Sequence, residues 1–300
     1  MLDFSAPAVQ DKEWIMALSA KSNLRSADFS YGSIFCWSDA IHPSVARVED
    51  RLILRYVIND EVCYAYPVGF GNMRPALDAI RADAEYLNVP LKIRGITQNV
   101  LPEAENFYEK KPYEILTDNR YSDYVYPIEG LVTLSGKKYH AKKNHVNRFM
   151  ADNDWSFEPI TEKNIDECHS MSSDWFIHAS KERETGFTGE IKALFKTFEN
   201  YFAMGFDGGL IRVCGSVAAF TIGERISHDT FVTHFEKADP HTNGGYSIIN
   251  QQFAKYLQET YPSLLYINRE EDMGLENLRK AKQSYKPVFM VDKYTAEWLF

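Results

Sequence analysis

The sequence predicts an α+β chain of two tandem domains, each a mixed, largely antiparallel sheet flanked by helices. Three observations carry this. Short runs rich in β-branched and aromatic residues come in groups of three, separated by polar turns, as in an antiparallel meander. Each group is followed by a run with helical spacing and then by one further strand. That order occurs twice, over residues 45–128 and 165–294, with negligible sequence identity between the copies.

In the first copy the meander runs are 45–48, 52–58 and 62–68, divided by Glu49-Asp50-Arg51 and Asn59-Asp60-Glu61. A helix follows with Leu77, Ile80, Ala84 and Leu87 on one face and Asn72 as its cap. A strand at 91–96, a helical stretch at 99–109 and a strand pair at 113–116 and 121–128 complete this copy. The second copy opens with helices at 165–181 and 189–204, then strands at 210–213, 216–223 and 229–236. Gly244-Gly245 opens a helix striped by Tyr246, Ile249, Phe253 and Tyr256. A strand at 264–268, a helix striped by Leu275, Leu278 and Tyr285 and a strand at 288–294 end the chain. The expected domains are 1–133 and 156–300, joined by a basic connecting helix at 134–155. The ligand site is expected in the second.

Composition narrows the function classes. Hydrophobic residues at 45% and charged residues at 25% describe a soluble globular protein. A formal net charge of -9 argues against DNA and against general nucleic-acid binding. The four cysteines are far apart, so reduced thiols are expected rather than a disulfide framework. Residues 1–12 lack the basic-then-apolar order of a secretory signal. No apolar run approaches the roughly 20 residues that span a bilayer. A cytoplasmic protein without membrane insertion is the expectation. The nucleophile elbow, the phosphate-binding loop and the dinucleotide fingerprint are absent, and no His/Cys/Asp/Glu spacing suits a metal.

The candidate chemistry gathers in the second copy. Asn243, Gly244, Gly245 and Tyr246 open a helix directly after a meander strand, where backbone N–H groups favour a donor's anionic part. Glu236 ends that strand, and alternation places His234 on the same face; either could take a proton from an attacking amine. Tyr285, near the end of the last helix, is a candidate acid for a leaving thiolate or alkoxide. Asn268-Arg269-Glu270-Glu271-Asp272 concentrates polar groups at a strand's carboxyl end, where crevices form. Asn268, Glu270, Glu271 and Arg279 are therefore candidate substrate contacts. Lys142 and Lys143 belong to an uninterrupted basic run, 137–148, that could steer a phosphate-rich donor or, as the blander alternative, line a solvated face.

These segments carry a resemblance. Asp123-Tyr124-Val125-Tyr126, the block from Leu134 to His145, Phe149, Asn268 to Gly274 and Leu278 to Lys282 resemble bacterial proteins of unassigned function. Those proteins are grouped with the C-terminal domain of phosphatidylglycerol lysyltransferase. The resemblance implies two tandem GNAT-like domains and, more distantly, aminoacyl transfer; acyl or aminoacyl transfer to an amine is the leading expectation. No tightly bound cofactor is expected, acyl-CoA and aminoacyl-tRNA are the candidate donors, and tRNA is a candidate partner. Thr242-Asn243-Gly244-Gly245 has the glycines of CoA-using relatives but not their basic lead. The alternative reading is a non-catalytic small-molecule-binding module on the same scaffold.

Overall fold

The computed structural model describes residues 2–58, 60–182 and 188–299, with the backbone alone for 178–182. The α+β class holds, and among the described residues thirteen strands form two mixed sheets. The first sheet begins with the expected meander, β1 (Ser44–Val48), β2 (Arg51–Ile58) and β3 (Glu61–Ala65). Three short helices precede it: α1 (Lys12–Ser22), α2 (Tyr31–Cys36) and α3 (Ser38–Ile41). Helix α4 (Arg74–Leu87) then returns the chain so that β4 (Leu91–Thr97) lies parallel to β3. Its apolar face is Ala76, Leu77, Ile80 and Ala84, all buried, while Leu87 emerges at the end where Asn88 turns left-handed. Asn72 accepts the Arg74 backbone N–H and so helps start this helix. The helical stretch expected at 99–109 is only one turn, α5 (Leu101–Ala104), followed by β5 (Glu114–Thr117).

The second sheet repeats the plan. Strand β6 (Asp123–Pro127), the short α6 (Ile128–Thr133) and the basic α7 (His140–Asp152) lead into β7 (Trp155–Pro159). Helices α8 (Ile165–Glu182) and α9 (Thr188–Asn200) precede the meander β8 (Asp207–Val213), β9 (Ser216–Arg225) and β10 (Thr230–Ala238). Helix α10 (Gly245–Thr260) carries the chain to β11 (Tyr266–Asn268), parallel to β10. Helix α11 (Glu276–Ser284) and strands β12 (Phe289–Val291) and β13 (Lys293–Trp298) follow. Each unit is thus a meander, a covering helix and a parallel strand. Among the described residues no helix is long and apolar enough to cross a membrane.

The sheet orders correct the expected domain limits. They are β1-β2-β3-β4-β13-β5 and β12-β6-β11-β10-β9-β8-β7. Strands 113–116 and 121–128 do not pair with each other: β5 joins β13, and β6 joins β11. The single strand expected at 288–294 is two, because β12 and β13 enter different sheets. The compact units are therefore interleaved rather than consecutive. One comprises residues 1–123, 270–276 and 290–300; the other comprises 124–269 and 277–289. A strand's alternation shows which side is buried but not which sheet takes it, so the exchange is invisible to local pattern.

Candidate active site

In the second unit, β10 and β11 pair only over Thr230–Val232, opposite Tyr266–Asn268. Strand β10 runs on to Ala238, whereas the chain leaves β11 at Asn268 and turns left-handed at Glu270 (φ 57°). Glu236 stands on the part of β10 beyond this pairing. Its Oε1 accepts Arg269 Nη2 at 2.7 Å, and its Oε2 accepts Asn250 Nδ2 of α10 at 3.3 Å. Both side chains of the ion pair are nearly buried, 11% and 12% exposed.

Two tyrosines floor this pair. The Arg269 guanidinium lies 4.9 Å from the Tyr285 ring centroid and 5.7 Å from that of Tyr126. The rings meet edge to face at 6.4 Å. Lys142 of α7 places its ammonium 4.3 Å from the Tyr285 centroid. Burial, and then the charge of Arg269, lower the Lys142 pKa. Burial raises that of Tyr285, whose hydroxyl is 3.5 Å from Ser247 Oγ. Lys282 is buried and donates to the Arg269 carbonyl, while Tyr126 donates to the Lys282 carbonyl at 2.8 Å. The arrangement can hold an anion, orient a carboxylate and keep a phenol protonated in a largely dry setting.

The structure brings Glu236, Tyr285 and Lys142 together and separates other candidates from them. His234 does not share the Glu236 face. A bulge between Thr233 and Phe235 breaks the alternation, and His234 Nε2 instead meets Glu224 Oε1 of β9 at 3.2 Å. Glu271 belongs to the other unit. Lys143 is exposed on α7, and Arg279 is half-buried on α11. Asn268 is fully buried in its strand, and Glu270 is half-buried at the left-handed turn. The stripe expected for α11 shifts, since Leu275 is exposed and Lys282 is buried with Tyr285. Three participants are not among the candidate contacts the sequence offers: Arg269, which stands inside the polar motif, Lys282, which ends the block Leu278 to Lys282, and Asn250, which reads as an ordinary helix residue.

The helix opening has a packing reason of its own. Gly244 caps α10 with φ 87°, and a Cβ there would sit 3.3 Å from both the His145 carbonyl and Phe149 Cβ of α7. A Cβ on Gly245 would come within 2.9 Å of Ala238 Cβ. Asn243 and Tyr246 beside them are exposed. Gly244→Ala is expected to lose about 1–2 kcal/mol, the cost of a left-handed backbone for an L residue. Urea unfolding measures it, and a loss below a few tenths would mean that the loop relaxes.

Two further clusters are built from other residues. A cleft of about 780 Å³ on the α8 side of the second unit is lined by Asp166, Asp174, Trp175 and Asp239, among others. In the first unit, Lys293 of β13 reaches Asp28 at 2.5 Å, Asp123 at 2.8 Å and Glu271 at 3.5 Å. These three carboxylates have the spacing of a metal cluster, and the lysine ammonium stands among them. No metal was expected from the sequence; here a cation of the chain itself serves the carboxylates.

The family model described as phosphatidylglycerol lysyltransferase, C-terminal, matches residues 20–297. The chain belongs to this family. A conserved protein of unknown function from Bacteroides thetaiotaomicron is 35% identical over the whole of both chains, with a TM-score of 0.94. The C-terminal domain of a protein named as a lysylphosphatidylglycerol synthetase from Agrobacterium fabrum has a TM-score of 0.68 at 13% identity, covering 98% of this chain and 93% of that one. L-PGS from Bacillus licheniformis has 0.61 at 14%, covering 85% and 83%. The last two likenesses show the shared fold.

Proposed function

We propose that the chain is a transferase that moves an acyl or aminoacyl group from a thioester or ester donor to an amine. Membership of the lysyltransferase family supports a transferase. The observation that carries the reading is Glu236, held beside Arg269 where the β10–β11 pairing has ended, one loop before the helix opened by Gly244 and Gly245. The amine nitrogen attacks the donor carbonyl, and its surplus proton passes to Glu236 directly or through water. The carbon–sulfur or carbon–oxygen bond breaks, and the leaving atom takes a proton from Tyr285. Glu236 retains lone pairs for this, because a carboxylate offers about four acceptor positions and the two bonds use one on each oxygen. Acyl-CoA and aminoacyl-tRNA are the donor candidates. Exposed Lys137, Lys138, Lys143 and Arg148 give α7 and the turn before it a basic surface suited to either.

Thermal-shift screening against CoA thioesters, amino acids and aminoacyl-tRNA, followed by turnover assays, tests this reading. Glu236→Gln is expected to lower turnover at least a hundredfold while changing donor affinity little. Unchanged turnover would remove Glu236 from the proton-accepting role. Because both Glu236 oxygens are already bonded, a non-catalytic binding module is the second reading. Donor binding without turnover in the unaltered protein would favour it.

A further inference from the structure

The geometry points to a site for an oxyanion, one carboxylate or one phosphate group, held by Lys142 and the second guanidinium nitrogen of Arg269. Two cations of the second unit, Lys142 and Arg269, converge on the Tyr285 ring, and the carboxylate paired with Arg269 is Glu236. Lys282 is directed to a backbone carbonyl. Arg269 gives Nη2 to Glu236, but its Nη1 is shielded from solvent and has no hydrogen-bond partner among the described residues. The Lys142 ammonium lies over the Tyr285 ring and has no hydrogen bond or close ion pair among the described residues, with the Glu236 charge acting on it from farther off. Both cationic groups lie within 5 Å of that one ring centroid. Buried donors are almost always satisfied, and a buried charge without its counter-charge is costly. A ligand oxyanion supplies both the acceptor and the missing charge, and a guanidinium edge suits its geometry.

Glu236 beside this position would meet an ammonium or amine. The pattern of one carboxylate and two unsatisfied cationic donors fits an acceptor that carries its own anionic group, such as an amino acid or a phosphate-bearing amine. Naming that ligand as the acceptor rests on the transferase reading. The oxyanion site itself rests only on charge balance and unsatisfied donors.

Calorimetric titration of the full chain with inorganic phosphate, acetate and glycine tests the site without requiring turnover. Saturable binding is expected for at least one of the three, and the preference between phosphate and the carboxylates identifies the source. Lys142→Met is expected to weaken that binding at least tenfold, and Lys142→Arg to restore most of it. In the absence of anion, Lys142→Met should melt no lower than the unaltered protein, since it removes an uncompensated charge. Absence of saturable binding by all three probes would overturn the site, as would Lys142→Met binding as well as the unaltered protein. Oxyanion binding together with no transfer from any donor would leave the site standing and sink the transferase reading instead.

Discussion

Arg269→Ala is expected to destabilise the protein by about 3–5 kcal/mol, the usual cost of removing one partner from a buried ion pair. The side chains of Glu236 and Arg269 are about nine-tenths withdrawn from solvent. Without the guanidinium, the carboxylate would retain only the 3.3 Å bond from Asn250 and the more distant charge of Lys142. The loss therefore measures a stranded charge rather than the net worth of the pair. Glu236→Gln combined with Arg269→Met separates the two, because it strands neither group. The double variant should recover more than half of the stability lost in Arg269→Ala. Arg269→Lys should recover little, as one ammonium cannot replace the fork lying over the Tyr285 ring. Urea unfolding with a common slope provides the comparison. A loss below about 1 kcal/mol for Arg269→Ala, typical of an exposed pair, would show that water reaches Glu236.

Much of this fold is written in local pattern. The meanders, the α4 face of Ala76, Leu77, Ile80 and Ala84, and the glycine opening of α10 follow from residues close in sequence. The interleaving does not, since β6 and β13 have the same alternation whichever sheet receives them. The site divides in the same way. Glu236, Tyr285 and Lys142 were legible as residue types at element ends. His234 was misplaced because a bulge shifts facing by one residue without altering composition. The polar motif after β11 looked like a single cluster. In the structure Arg269 turns to Glu236 and Glu271 to Lys293, with a left-handed residue, Glu270, between them. Backbone reversal at a non-glycine position leaves little trace in sequence.

Lys293→Met should produce a loss of similar size, about 3–5 kcal/mol, but one that depends strongly on pH. The lysine is 8% exposed and contacts three carboxylates, of which Asp123 is fully buried and accepts the Ala27 N–H at 2.8 Å. Burial pushes the Glu271 carboxyl from its ordinary 4.5 up to about 7; Lys293 opposes the rise and Asp123 adds to it. A folded-state pKa above the unfolded one means that stability is fully present below about pH 4.5. It is lost as pH rises through about 7. In the unaltered protein Glu271 thus contributes a decline on the order of 3 kcal/mol between these limits. Glu271→Gln should flatten that decline, and urea midpoints at pH 5, 6, 7 and 8 would show it. Removing Lys293 takes away the charge that opposes the rise. The decline in Lys293→Met should therefore continue above pH 7, with the variant closest to the unaltered protein at pH 5. Equal losses at pH 5 and pH 8 would mean that the carboxylates do not share their charge through Lys293, and that its contribution is packing alone.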